Sequence, residues 1–241
     1  MAPTTTDHPA LPALDRLDAD AIGEALDRDG IAMPGRLLDP EQCAEVVDLF
    51  DRDEVFRSTV DMARLSFGAG RYRYFADPLP PLVQELRTRL YPGLAAVANR
   101  WAEALGEDGF PTEHDELLAR CAAVGQHRPT PLVLRYGPGD HNRLHQDVYG
   151  DLTFPLQVLI MLSTPDVDFT GGESVFVEQR PRQQSRPVVA RPGLGEAVVF
   201  PVRYRPHRGA RGVHRVQMRH GVSAVHTGRR HVLGIIFHDA R

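Results

Sequence analysis

A mainly β architecture is predicted for this 241-residue chain, with a double-stranded β-helix (jelly roll) core flanked by N-terminal helices. Three observations predict it. Short apolar segments recur at regular spacing through the C-terminal half, each bounded by a Gly/Pro turn, as in a sandwich or barrel. The N-terminal half instead places its apolar residues at helical spacing behind helix-start signals. Finally, His145 and Asp147 stand two residues apart beside these strands, and His220 comes late in the strand-rich half. Double-sheet packing is the arrangement that removes exposed edges from so many short strands.

In the N-terminal region, residues 1–128, a helical support is expected. Asp18 to Asp29 carries apolar residues at 22, 25 and 26, suiting an amphipathic helix. Ile31-Ala32-Met33 is an early strand candidate. Asp39-Pro40-Glu41 supplies an N-cap and a proline at the first helical position, opening a helix to about Phe50. Pro81 to Ala104 is a longer helical stretch with an interruption expected at Pro92-Gly93, and residues 113–124 form another helix with Thr112 as N-cap. Between these lies Arg71-Tyr72-Arg73-Tyr74-Phe75, whose alternation suggests a strand or lid. It either holds a substrate by stacking and salt bridges or packs onto the core.

Residues 129–241 are the expected core, the whole forming one compact domain. Strands are predicted at Leu132 to Tyr136, Phe154 to Ser163, Ser174 to Val177, Ala197 to Phe200 and His231 to His238. Gly137-Pro138-Gly139-Asp140, Asp168 to Glu173 and Pro192 to Glu196 are the turns between them. Glu178 to Arg186 is polar and a candidate lining for a site entrance.

The chemistry-bearing residues are His145, Asp147 and His220. Residues two apart on a strand share a face, so His145 and Asp147 should point together and Gln146 away. A histidine from a neighbouring strand then completes a two-histidine, one-carboxylate set that leaves three positions on a metal open, the arrangement associated with non-haem Fe(II) oxygenases. His114-Asp115-Glu116 is a decoy. Residues two apart on a helix point about 200° apart, so His114 and Glu116 cannot chelate one ion and are expected at the surface. His207, His214, His226 and His231 are the other histidines near His220, with His214 the runner-up. They receive no role, nor do His8, His127, His141 and His238.

Over Leu132 to Asp239 the chain resembles the Fe(II)/2-oxoglutarate-dependent oxygenase superfamily. The resemblance rests on His145-x-Asp147, on Gly171-Gly172 and Gly195-Glu196-Ala197-Val198-Val199-Phe200, and on His220 followed by Val225, Gly228 and Arg230. An arginine ten residues after the histidine is similar to the prolyl-hydroxylase-like branch. Arg135 to Gly139 leading into His145 resembles the alkylated-nucleic-acid repair dioxygenases, and over its length the chain resembles a bacterial family of oxygenases described as acting on damaged DNA. This resemblance implies Fe(II) on His145, Asp147 and His220, with 2-oxoglutarate and O2 as co-substrates and ascorbate as a reductant. It also implies Arg230 as the clamp for the far carboxylate of 2-oxoglutarate, where a guanidinium fork supplies two parallel charge-assisted bonds. Arg229 would face the opposite way. Tyr136 either donates its phenol to the same co-substrate or is a core tyrosine.

The function implied is hydroxylation of a C–H bond in a small-molecule or amino-acid-like substrate, with release of succinate and CO2. Oxidative demethylation of damaged nucleic acid is the alternative, although the repair enzymes place their arginines further beyond the distal histidine. A cupin-like metal-binding protein without oxygenase activity is the third reading. Such sites usually carry extra histidines near the first, and only His141 is available.

Composition agrees with an enzyme in the cytoplasm. Cys43 and Cys121 make no disulfide framework, Met1 to Asp7 lack the features of a secretory signal, and no apolar run approaches the ~20 residues that cross a bilayer. Net charge is −4, yet residues 171–241 hold 13 Arg against 4 acidic residues. Arg203, Arg205, Arg208, Arg211, Arg215 and Arg219 form a dense run before His220. That loop either focuses potential for an anionic substrate or is neutralised by the acidic N-terminal half.

Overall fold

A computed structural model describes residues 10–180, 182–210 and 212–241. The readings placed on Met1 to Asp7, His8, Pro181 and Arg211 lie outside these residues. The chain begins with α1 (Ala19–Asp29), capped by the Asp18 side chain, and β1 (Ala32–Arg36). Next comes α2 (Pro40–Leu49), where Asp39 and Gln42 close a reciprocal capping box. β2 (Phe56–Asp61), β3 (Gly68–Ala69) and β4 (Arg71–Phe75) lead to α3 (Pro81–Leu105) and α4 (His114–Ala123). The remainder is β5 (Leu132–Tyr136), β6 (His141–His145), β7 (Leu156–Met161), β8 (Phe169–Gly171), β9 (Ser174–Gln179) and β10 (Arg186–Ala190). It ends with β11 (Glu196–Pro201), β12 (Tyr204–Gly209), β13 (Gly212–Val222), β14 (Val225–Gly228) and β15 (Arg230–Ile236).

Two antiparallel sheets face each other in a jelly roll. The larger runs β1-β11-β7-β15-β5-β4-β2, and the smaller runs β10-β9-β13-β6-β3 with β12 also paired to β13. Residues before 129 supply four strands to these sheets as well as the helices. Period-two alternation divides the core. Leu156, Val158 and Ile160 of β7 pack with α1, α2 and α3 on the outer face of the larger sheet. Leu159 and Met161 turn inward and meet Phe176, Phe200 and Val232 between the sheets. Each such side chain, fully buried, is worth about 1.5–3 kcal/mol.

Four expectations are corrected. α3 runs uninterrupted through Pro92. A proline removes one helical hydrogen bond, but Tyr91, Leu94, Ala95, Ala98 and Trp101 are all buried along this helix, and that packing outweighs the loss. α4 starts at His114 behind Glu113, without Thr112 as cap, and His114 is buried rather than at the surface. Its Nε2 lies 2.9 Å from the Phe237 carbonyl, and burial next to Arg87 pushes its pKa down to about 4. The arginine run is no loop. Its described residues form the β12–β13 hairpin, in register from Tyr204/Gln217 to Gly209/Gly212. No described residue of 178–186 lines the central cavity; Glu178 is buried and bonded to Arg180 and Arg205. Among the described residues no helix is long and apolar enough to cross a membrane.

Candidate metal and co-substrate site

β13 brings the site together. Its first half pairs with β12, and its second half lies between β9 and β6, which sets His220 opposite both His145 and Phe176. The two imidazole rings are 4.2 Å apart between centroids. β6 ends at His145, so Asp147 is not on the strand as expected. The chain leaves the sheet with Gln146 donating to the carbonyls of Arg203 and Met218, at 3.0 and 2.8 Å, which steers the next residue inward. Asp147 therefore reaches the histidines from a loop.

One ligand atom from each of His145, Asp147 and His220 lies within 4.8 Å of the others, and they are the only such group of three or more among the described residues. Asp147 Oδ2 is 3.1 Å from His220 Nε2, and Oδ1 is 3.5 Å from His145 Nε2. Nδ1 of His145 lies 2.7 Å from the Arg143 carbonyl. If that nitrogen holds the proton, Nε2 presents a lone pair inward, as a metal-bound imidazole requires. Burial alone would raise the Asp147 carboxyl, but His220, His145 and the Tyr149 hydroxyl outweigh it and hold it well below the usual carboxylate range. Burial and the neighbouring His220 push His145 down, which keeps it neutral and able to ligate. Phe176 and Phe200 wall the His220 ring, with centroids at 6.5 and 4.7 Å.

Arg230 and Tyr136 are register partners on β15 and β5. Arg230 is 1% exposed and turns inward, whereas Arg229 is exposed. Its Nη2 donates to Ser174 Oγ at 2.9 Å, its guanidinium carbon lies 5.4 Å from the Tyr136 ring centre, and its Nε is buried with no partner. Among the described residues no carboxylate pairs with it. Burial lowers its pKa to about 10, so it stays charged at neutral pH. A buried guanidinium without an anion is strongly unfavourable, and a dicarboxylate reaching into the barrel would relieve it. Gly172, at φ +63°, is needed here, since a Cβ would stand 3.0 Å from Arg230 Cδ and 2.9 Å from Val225 Cγ2. The Tyr136 phenol, pushed up to about 12 by burial, accepts a long bond of 3.4 Å from Asn142.

Triad and arginine share one cavity of about 320 Å³. Its far wall carries Tyr72, Tyr149, Leu132 and Gln157. The alternating segment at 71–75 is thus divided by its strand: Tyr72 faces the cavity, whereas Arg73 is buried elsewhere, bonding the Phe50 carbonyl and Asp53. Sequence reasoning missed Tyr149, which donates to Asp147 Oδ1 at 2.7 Å. Its place two residues after Asp147 is the signal that could have found it. Ser174 was also missed, although it stands just past the glycine pair, with Glu173 between. His214 sits across from His207 on the hairpin and His226 is exposed on β14.

Residues 70–240 match the family described as "Oxygenase, catalysing oxidative methylation of damaged DNA". The chain belongs to this oxygenase family. Two uncharacterized proteins of Mycobacterium tuberculosis strains are each 47% identical over 167 residues, 69% of this chain and 72% of theirs. Among solved structures, an oxidoreductase of the 2OG-Fe(II) oxygenase family from Burkholderia pseudomallei is similar at TM-score 0.55 and 16% identity, covering 93% of this chain and 95% of that one. A Trichoplax adhaerens prolyl hydroxylase, solved with a hypoxia inducible factor peptide fragment, is similar at TM-score 0.57 and 16% identity, covering 95% and 91%. At such identities the likeness establishes the fold. Family and fold together make this enzyme a non-haem Fe(II)/2-oxoglutarate oxygenase, a class that draws on Fe(II), 2-oxoglutarate and dioxygen. The cupin-like reading without oxygenase activity falls with the family match.

Proposed function

We propose that this oxygenase oxidises an alkyl group on a base of damaged nucleic acid, with Fe(II) on His145, Asp147 and His220 and 2-oxoglutarate clamped by Arg230. The observation that carries the co-substrate assignment is the buried, anion-free Arg230 in the same cavity as the triad. Bound iron and 2-oxoglutarate would supply the activation of dioxygen, the co-substrate losing CO2 as one oxygen atom enters succinate and the other the substrate C–H bond. A hydroxylated carbon attached to nitrogen is then lost as an aldehyde.

The protein's own share is positioning. Asp147 stays ionised and His145 neutral, so both can ligate without first losing a proton. Ser174 and the Tyr136 ring hold the guanidinium in one orientation. Phe176 and Phe200 exclude water from the His220 side. A cavity of about 320 Å³ lies at the small end of ligand sites, so it suits a co-substrate and one compact group and not a polymer segment. A base would have to enter unstacked. The nucleic-acid reading is supported by the family description and by Arg203 and Arg219. Both are exposed beside His145 and Gln146 at the outer rim, with no ion pair among the described residues. The ten-residue spacing from His220 to Arg230 favours a second reading, hydroxylation of a free small-molecule or amino-acid-like substrate.

Anaerobic reconstitution with Fe(II) and 2-oxoglutarate tests the assignment. A weak visible charge-transfer band is expected in the wild type and not in His145→Ala; its absence with iron still bound would overturn the co-substrate site. Succinate release with alkylated single-stranded oligonucleotides, accompanied by steeply salt-dependent binding, would separate the two substrate readings.

A further inference from the structure

Among the described residues, Gln157 is the cavity-lining side chain whose hydrogen-bonding capacity the fold leaves unused. It stands on β7 between Phe200 of β11 and Ile236 of β15, and its parity with Leu159 and Met161 turns it inward. It is 3% exposed and lines the cavity, yet its amide nitrogen has no partner, and its side chain makes no hydrogen bond to any described residue. A buried amide left unmade is destabilising. An apolar side chain would fill this place at lower cost if packing were all that was required.

Its position separates it from the co-substrate. Arg230 and Ile236, the register partner of Gln157, are six residues apart on β15, roughly 20 Å of strand. A five-carbon diacid held at Arg230 does not span that distance. The walls around this end are flat and aromatic. Tyr72 and Tyr149 line it, and Tyr74 meets each of them edge-on, with ring centroids at 5.4 and 6.0 Å. Gly234 lines it as well, and a Cβ there would press to 2.7 Å from Leu132 Cδ2, so the floor stays thin.

We infer that Gln157 is the residue that selects the substrate, by pairing its carboxamide with a planar group that carries a hydrogen-bond donor beside an acceptor. This rests on the nucleic-acid reading above and sharpens it to bases with an amino group next to a ring nitrogen. A carboxamide offers one donor and one acceptor side by side, the complement of the adenine amino/ring-nitrogen edge. Fe(II) chemistry tolerates many C–H bonds, so selection has to come from such a contact.

The test uses single-stranded oligonucleotides of one sequence carrying one N6-methyladenine, N6,N6-dimethyladenine, N4-methylcytosine or N4,N4-dimethylcytosine. Each pair keeps the ring and an oxidisable methyl group but differs in the amino donor. Succinate release is followed for the wild type, Gln157→Met and Gln157→Leu, with the anaerobic visible band and melting temperature confirming that a variant is folded and loaded. A wild-type preference of about 5- to 150-fold for the monomethyl partner in at least one pair is expected, falling to near unity in whichever apolar variant folds. No preference in the wild type, or the same preference in the folded variant, would overturn the role of Gln157 and leave the nucleic-acid reading standing. If the wild type forms the visible band but oxidises none of the four, the role of Gln157 falls, and the nucleic-acid reading falls with it if oligonucleotides alkylated on a ring nitrogen also release no succinate.

Discussion

Arg205 and Arg230 are each 1% exposed inside the same jelly roll, and they differ in what surrounds the charge. Arg205 is saturated. Its Nε donates to Glu178 at 3.0 Å, Nη2 bonds the same carboxylate, and Nη1 donates to the Asp27 carbonyl at 3.0 Å. That arrangement ties β12 and β9 to α1. Arg230 has one neutral hydroxyl and the face of a tyrosine. A buried guanidinium needs an anion nearby. For Arg205 the fold supplies it; for Arg230 none of the described residues does, and we assign that role to 2-oxoglutarate. Equal burial therefore hides opposite surroundings, one charge closed within the architecture and the other open to the cavity.

The largest effect is expected from removing the anion that the fold itself provides. Glu178→Gln leaves Arg205 buried and uncompensated, and should destabilise the protein by about 3–5 kcal/mol in urea unfolding. The KM for 2-oxoglutarate of the folded fraction should not change. A stability loss below ~1 kcal/mol would mean that the two arginines are less different than their contacts indicate.

Next in size is the reciprocal change. Arg230→Met removes a charge that has no internal partner, so the melting temperature should hold or rise. The KM for 2-oxoglutarate should increase at least about thirtyfold, the lower end of the 2–5 kcal/mol lost when a buried charge pair is truncated. An unchanged KM would place the co-substrate carboxylate elsewhere.

Smallest at neutral pH, and growing with acid, is the effect of three buried histidines. Burial, reinforced by Arg87 for His114 and His238 and by Arg135 and Arg229 for His231, pushes each from 6.5 to about 4. The unfolded chain binds these protons first, so their contribution is complete above pH ~6.5 and is lost as pH falls towards 4. Urea midpoints measured from pH 7.5 down to 4.5 should decline in that window. His114→Phe should flatten the decline, provided the ring still packs against Tyr91 and Phe237.

Much of this protein was legible without coordinates, and the reasons are local. Leu132 to Tyr136 forms a strand over the predicted residues because its apolar run ends in a Gly-Pro turn. Asp39 caps α2 because its side chain and that of Gln42 can satisfy each other's backbone donors three residues apart. His145 and His220 meet, and Arg230 and Arg229 face opposite ways, because alternation on neighbouring strands is a property of β backbone. Strand periodicity nevertheless placed Asp147 correctly for the wrong reason, since a loop carries it.

Tertiary structure decided what depends on residues far apart in the chain. Pro92 stays helical because a buried face of α3 outweighs one missing hydrogen bond. His114 looked like a surface residue until the end of β15 came to lie over it. Arg205 looked like a member of a solvated run, and only the approach of Glu178 and Asp27 makes it internal. The anion-free state of Arg230 and the unused amide of Gln157 are likewise invisible in sequence. A group is unpartnered only with respect to everything folded around it, and spacing along the chain does not encode that. The sequence by itself determined the apolar strands of the core, the Asp39 cap and the residue types able to bind metal and carboxylate. The fold decided which of its charges and amides are satisfied from within and which are left unpartnered.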